Sequence, residues 1–265
     1  DNYEELVRDW ERDALSAARA RAAGLGVETT AELLEGPVVD GLQRFIAAAG
    51  IDLVVMTTHG RGGIRRAVMG SVAEQCVRRT EVPILMIHPR SERDEVTTSV
   101  RELKRILVPL DGSAESETVL PHAVRLAQLA GAEIVLTRVA TAPFDIAITI
   151  GVEALKDYLD RLRHQAETYL IAVKQTLPRD LPVTYIARGA ERAPQAIIDI
   201  AESQNADLIA MATHGRTGWA RVAIGSVAES VLHKSATPVL LIKGVTERAS
   251  TDLHSVQSEP AHSGG

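Results

Sequence analysis

A glycine-punctuated loop with the residue types of a phosphate site occurs twice in the chain. Residues 56–74 read MTTHGRGGIRRAVMGSVAE and residues 211–229 read MATHGRTGWARVAIGSVAE, with 12 of 19 positions identical. In the second copy Gly225 stands just before a predicted helix, where it leaves room for an anion against amides that lack a partner inside the helix. Ser226 adds a hydroxyl and Arg216 adds positive charge. The pattern therefore predicts a phosphate-binding loop.

The same residues also have a purely structural interpretation. Ser226-x-x-Glu229 and Ser71-x-x-Glu74 match the capping box that begins a helix with or without a ligand, and the glycines could simply make turns. The spacing matches neither a Walker A motif nor G-x-G-x-x-G. No carboxylate or nucleophile is paired with the loop histidines, so the sequence predicts no catalytic residue and no metal site.

Short apolar runs alternate with helical patterns throughout the second copy. Alternation of this kind implies a parallel sheet that is covered by helices on both faces. The predicted strands are 105–110, 134–139, 183–187, 208–212 and 238–242, and the predicted helices are 116–130, 152–176, 194–204 and 226–235.

The first copy lacks the start of this pattern. Its predicted elements are a helix over 2–23, a strand near 29–35, a helix over 38–49, a strand over 53–56, a helix over 71–79 and a strand over 84–87. The equivalents of 104–150 are missing, and a sheet without them would expose a long apolar edge, so we expect an N-terminally truncated chain. The predicted organisation is an incomplete domain over 1–88, a linker over 89–103, a complete domain over 104–243 and a disordered tail over 244–265.

Composition limits the classes of function. Of the 265 residues, 45% are apolar but only 3% are aromatic, so the core must be aliphatic. The net charge of −6 argues against a nucleic-acid surface. Cys76 is the single cysteine, which excludes an internal disulfide and fits a reducing, cytoplasmic compartment. No apolar run reaches the roughly 18 residues that span a bilayer, so no membrane partner is expected.

The repeated T-H-G and G-x9-G-S motifs, together with ILVPLDGS at 106–113, resemble the universal stress protein family. The resemblance implies an α/β fold of the Rossmann-like or flavodoxin-like type in each copy, with a five-stranded parallel sheet in the order 3-2-1-4-5 and helices on both faces. It also implies dimer-type packing of the two domains within the chain, often through their last strands, with a homodimer as a further option. It indicates no particular protein partner.

ATP-binding members of that family carry the pattern G-x-x-G-x9-G-[ST]. The second to fourth positions fall on Gly215, Gly225 and Ser226 in the second copy. The first position departs from the pattern, because Ala212 stands there in the second copy and Thr57 in the first. Thr57 is the larger departure, since it adds bulk and β-branching.

Two further positions follow from the same resemblance. The acid that holds the adenosine part matches Asp111, and the residue whose main chain meets adenine matches Val139. Each residue also has a structural interpretation when it is considered alone: Asp111 could cap a turn, and Val139 could belong to the core. The implied nucleotide-binding residues are Pro109, Leu110, Asp111, Val139, Met211, Ala212, His214, Gly215, Arg216, Gly225, Ser226 and Val227, with Gly60, Gly70 and Ser71 as a weaker set in the first copy.

The function predicted on these grounds is an adenine-nucleotide-binding regulatory protein of the stress response that is not primarily catalytic. The cofactor would be ATP or another adenine nucleotide, with or without Mg²⁺, and its binding would order the loop and change the surface between the domains. Two alternatives stay open. One is a ligand-free dimerisation module, and the other is a slow ATP hydrolase.

Overall fold

The computed structural model describes residues 2–58, 69–88, 102–141, 152–213 and 224–243. The chain divides into two compact units, Asp1–Ile51 and Asp52–Gly265. The predicted linker over 89–103 lies outside the described residues except for its last two positions, and the predicted tail over 244–265 lies wholly outside them.

The first unit contains, within its described residues, the helices α1 (Asn2–Gly24) and α2 (Val38–Ala49). The predicted strand near 29–35 is wrong, because residues 27–35 form no strand. A strand needs a neighbour that satisfies its backbone N–H and C=O groups. In the second repeat the equivalent strand pairs with the strand before it in sequence, and the described part of the first repeat has no counterpart of that neighbour.

The second unit carries the strands and the remaining helices of the described chain. Its strands are β1 (Val54–Thr57), β2 (Ile84–Ile87), β3 (Arg105–Pro109), β4 (Glu133–Ala140), β5 (Val183–Gly189), β6 (Leu208–Ala212) and β7 (Val239–Ile242). Its helices are α3 (Ser71–Arg79), α4 (Ala114–Glu117), α5 (Leu120–Ala130), α6 (Val152–Thr176), α7 (Ala193–Ser203) and α8 (Ser226–Lys234).

One predicted helix is divided in the structure. The pattern over 116–130 predicts a single helix, whereas α4 ends at Glu117 and α5 begins at Leu120. Pro121 stands in the first turn of α5. Proline has no N–H to donate to a preceding turn and fits only at the beginning of a helix, so it separates the two segments.

The strands form one seven-stranded sheet in the order β1-β2-β7-β6-β3-β4-β5. The five strands of the second repeat are parallel and follow the order 3-2-1-4-5, which confirms the predicted fold class. The last strands of the two repeats lie side by side in antiparallel register, with Leu85 opposite Leu240. The sheet is therefore mostly parallel, with one antiparallel junction between β2 and β7.

The core of the second unit is aliphatic, as the composition predicts. Ile106 and Val108 on β3, Ile134 and Leu136 on β4 and Leu170 on α6 are all fully buried and belong to one cluster. Burying one such side chain contributes about 1.5–3 kcal/mol of transfer free energy. This packing fixes where β3 and β4 end, and their ends position the candidate site.

Candidate functional site

A cleft of about 620 Å³ opens at the carboxyl ends of β3, β4 and β6. Parallel strands end at the same edge of a sheet, which is where open α/β sheets bind ligands. Leu162 of α6 and Ile197 of α7 form apolar wall, and the start of α8 forms the far side. The predicted nucleotide-binding residues that line this cleft are Pro109, Leu110, Asp111, Val139, Met211, Ala212, Gly225, Ser226 and Val227.

The remaining predicted residues fall into two groups. Four of them lie outside the described part of the chain, namely His214, Gly215, Arg216 and Gly60. Gly70 and Ser71 stand at the start of α3, which is the counterpart of the start of α8, and they do not line this cleft. The structure therefore gathers the described candidate residues of the second repeat in one place and puts the pair from the first repeat elsewhere.

The start of α8 presents backbone amides to the cleft. Gly225 precedes the helix, and its N–H donates to the Thr213 carbonyl oxygen at 2.7 Å. The first i→i−4 hydrogen bond of the helix is donated by the Glu229 N–H to the Gly225 carbonyl oxygen at 2.9 Å. The amides of Ser226 and Val227 precede it, so they have no partner inside the helix and lie at the positive end of its dipole. A helix start of this kind has the geometry of an anion site.

The predicted capping boxes are wrong in both repeats. The N-cap residues are Gly225 and Gly70, which have no side chain to form a capping hydrogen bond. A capping oxygen must come from the N-cap residue itself, and Ser226 and Ser71 stand one position further into the helix. Among the described residues, the Ser226 hydroxyl makes no hydrogen bond, so capping does not account for it.

Backbone conformation does not require glycine at position 225. Its φ of −61° and ψ of 145° are open to any L residue, and Gly70 has the same values. An added Cβ at Gly70 would lie 3.4 Å from the Thr58 carbonyl oxygen, which is an ordinary contact. A turn therefore does not explain the glycine at position 225. Gly225 lines the cleft together with the first residues of α8.

Asp111 lines the same cleft just after the end of β3 and is held in a tight turn. One of its carboxylate oxygens, Oδ1, accepts hydrogen bonds from the Ser113 N–H at 2.9 Å and from the Ser113 hydroxyl at 2.6 Å. Gly112 between them has a φ of +89°, which favours glycine. The structural interpretation of Asp111 is thus correct for this oxygen, and the same turn places the carboxylate on the cleft wall.

Arg138 is a lining residue that the sequence did not predict. Its guanidinium lies 4.7 Å from the centre of the Tyr169 ring. The Tyr169 hydroxyl donates to a Glu117 carboxylate oxygen at 2.7 Å. Burial raises the pKa of Tyr169 well above its ordinary value, and the hydrogen bond to Glu117 raises it further. The signal in the sequence was a charged residue inside the apolar strand pattern EIVLTRVA at 133–140.

Other features of the described residues offer less chemistry. A second cleft of about 580 Å³ beside β2 and β7 is lined mainly by leucines and other apolar side chains. Cys76 is buried in α3, and this burial raises the pKa of its thiol. Within the described ranges, no group of three His, Cys, Asp or Glu side chains could hold a metal ion. The helices in those ranges are too short or too polar to cross a membrane.

Comparison with known sequences identifies relatives over most of the chain. The sequence profile of the Universal stress protein family matches residues 2–88 and 102–243. A universal stress protein of Mycobacterium tuberculosis is 27% identical over 195 residues, which are 72% of this chain and 62% of the relative. One from Methanocaldococcus jannaschii is 32% identical over 144 residues, covering 53% of this chain and 82% of the relative. The chain thus spans less than two thirds of the length of its mycobacterial relative.

Solved structures show the same fold. A universal stress protein from Archaeoglobus fulgidus superposes with a TM-score of 0.63 at 20% identity, over 92% of this chain and 81% of that one. A putative universal stress protein from Pseudomonas aeruginosa gives a TM-score of 0.60 at 19% identity, over 88% and 78%. At this identity the likeness supports the architecture alone.

Proposed function

Because the chain belongs to the universal stress protein family, we propose that its second repeat binds an adenine nucleotide and serves regulation rather than catalysis. One observation carries the proposal. A glycine that the backbone does not need, Gly225, leaves open the amide end of α8, and this end shares a cleft with Asp111. The cleft volume of about 620 Å³ lies in the range that small-molecule ligands require.

The proposed nucleotide spans the cleft from end to end. Its phosphates lie against the amides of Ser226 and Val227, where the helix dipole favours negative charge. The ribose lies at Asp111, and the adenine lies against the main chain of Val139 between apolar walls. His214, Gly215 and Arg216 lie outside the described residues and are proposed as further contacts of the phosphates.

Catalysis is the weaker alternative because of where the charges lie. Phosphoryl transfer usually requires a carboxylate side chain that binds a metal ion near the transferred phosphoryl group. Among the described residues that line the cleft, Asp111 is the carboxylate, and it belongs to the adenosine end. Mg²⁺ would therefore depend on the nucleotide's own phosphates and on the Ser226 hydroxyl, which suits binding better than rapid hydrolysis.

The first repeat is proposed to be at best half a site. Gly70 and Ser71 begin α3 with the same backbone conformation as their counterparts at α8. No described residue of that repeat supplies a counterpart of Asp111 or Val139, and Thr57 occupies the first motif position. We therefore expect about one nucleotide per chain, bound by the second repeat.

The organisation around this site is also a proposal. The two repeats, taken as 1–88 and 104–243 with a linker over 89–103, are proposed to pair through β2 and β7, and the Lys243 ammonium contacts the Glu81 carboxylate beside that junction. We propose that nucleotide binding alters this surface for a protein partner. A cytoplasmic location is also proposed, because the single cysteine of the chain is a buried free thiol, which fits a reducing compartment. A homodimer is proposed as a further level of assembly.

Calorimetric titration of ATP into nucleotide-free protein, with a parallel Mg²⁺-dependent turnover assay, tests the proposal. Saturable binding with about one equivalent and negligible turnover is the expected result. No binding at millimolar ATP would favour the ligand-free dimerisation module, and steady multiple turnover would favour the hydrolase.

A further inference from the structure

Arg138 is held in a fixed orientation at the adenosine end of the cleft. One face of its guanidinium lies over the Tyr169 ring at 4.7 Å. Three guanidinium atoms, Cζ and both terminal nitrogens, lie 3.0 Å from the position that a Cβ on Gly112 would take. The guanidinium therefore packs closely against the Gly112 turn as well as over the ring. This packing restricts the rotation of a side chain that would otherwise be flexible.

The N–H groups of Arg138 are left without partners in the described part of the chain. Neighbouring arginines are used differently, since Arg105 pairs with Glu133 at 3.2 Å and Arg188 pairs with Asp199 at 3.7 Å. Arg138 has no ion pair or hydrogen bond to a described residue, although it lines the cleft. A packed guanidinium with unused donors along its edge has the geometry that recognises phosphate in a bidentate manner.

We propose that Arg138 recognises a phosphate on the ribose of the bound nucleotide, so that the site prefers adenine nucleotides phosphorylated at the ribose 2′ or 3′ position. The proposal rests on the nucleotide orientation given above. Gly112, against which Arg138 packs, follows Asp111, and Arg138 itself precedes Val139. The arginine is thus next to both proposed contacts of the adenosine. In dinucleotide sites of similar topology an acid binds the free ribose hydroxyl, and where a 2′-phosphate is present a nearby arginine donates hydrogen bonds to it.

Asp111 makes the preference depend on Arg138. A carboxylate repels a phosphate on the ribose, and Asp111 is held on the cleft wall by its two hydrogen bonds from Ser113. The positive charge of Arg138 must therefore offset this repulsion before a phosphate on the ribose can increase the affinity of the nucleotide. It follows that neutralising Asp111 and neutralising Arg138 should shift the preference in opposite directions.

The test compares ADP with its 2′-phosphate and 3′-phosphate derivatives by calorimetric titration. The wild-type chain should bind at least one derivative about tenfold or more tightly than ADP, as expected for a charge-assisted bidentate contact. Arg138→Gln should reduce this ratio to about one and leave ADP affinity within about threefold, and Arg138→Lys should give an intermediate ratio because it keeps the charge but loses the planar fork. Arg188→Gln is the matched control, since that arginine lies on the next strand and does not line the cleft, and it should keep the wild-type ratio.

The outcomes separate this inference from the proposed function. If ADP and both derivatives fail to bind at millimolar concentration, the proposed function itself fails, and this inference fails with it. If ADP binds but neither derivative gains affinity, or if Arg138→Gln leaves the ratio unchanged, only the ribose-phosphate inference is overturned. A preference for GDP over ADP that Arg138→Gln abolishes would also overturn it, because the arginine would then recognise the base. If Arg138→Gln folds poorly, Arg138→Lys replaces it in the test, because it keeps the positive charge over Tyr169 and should still lower the ratio of the affinities.

Discussion

Replacing Gly225 with valine separates a ligand site from a structural turn. The φ of −61° and ψ of 145° at this position suit a β-branched residue, so the backbone should accept the change without strain. The new side chain would occupy the space beside the amides of Ser226 and Val227. Loss of two charge-assisted hydrogen bonds to phosphate, each about 1.5–3 kcal/mol, would weaken binding by about 3–6 kcal/mol. This corresponds to a dissociation constant more than about a hundredfold larger.

Gly70→Val is a matched control for this change. It makes the same substitution at the same backbone conformation before α3, where an added Cβ has only an ordinary contact at 3.4 Å. Both variants exchange glycine for a poorer N-cap residue, so each should lose only about 1 kcal/mol of the free energy of unfolding. Calorimetric titration with ATP and urea denaturation measure the two effects, and only Gly225→Val should lose binding.

Two results would refute this reasoning. Unchanged ATP affinity in Gly225→Val would mean that the phosphates do not bind at α8. A loss of several kcal/mol of stability in Gly225→Val, with Gly70→Val unaffected, would mean that glycine serves the fold at position 225 and that the backbone argument is wrong.

Three further predictions concern residues in the cleft and beside it. Ser226→Ala should weaken ATP binding by about 1–2 kcal/mol in calorimetry if the hydroxyl meets phosphate, whereas Ser71→Ala should not change it. Asp111→Asn should weaken ADP binding and strengthen binding of the ribose-phosphorylated derivatives relative to ADP, and equal losses for all of these ligands would contradict its assignment to the ribose. The raised pKa of Tyr169 means that the unfolded chain releases this proton first, so stability should fall as pH rises above about 10, the ordinary tyrosine value, in alkaline urea denaturation. Tyr169→Phe should show a flatter decline over that range, and an identical decline would show that the tyrosine does not contribute.

Periodicity and turn residues predicted most of the second repeat correctly. The strand over Leu208–Ala212 and the helix over 152–176 match the structure at both ends, because continuous apolar runs and long amphipathic patterns depend little on distant contacts. The strand predicted near 29–35 is wrong because strand formation, unlike these patterns, depends on a distant contact. A strand exists only with its neighbour, and its own residues do not say whether that neighbour is present.

Local motifs did not describe the start of α8 correctly. Gly225 and Ser226 line the cleft, but Ser226 is one residue too far into α8 to act as a cap. Arg138 went unnoticed because a single basic residue in a strand says nothing about what packs against it. Its position depends on Tyr169 and Gly112, which are distant in sequence and meet Arg138 only in the folded protein.

A two-dimensional ¹H–¹⁵N NMR titration with ATP tests the central claim most directly, because it reports both the place and the number of bound nucleotides. The account predicts saturable shifts of the amide signals of Ser226, Val227 and Val139 at about one equivalent, with the Ser71 amide at the start of α3 unchanged. Saturable ATP binding that leaves the α8 amides unshifted, or that shifts the start of α3 instead, would contradict it.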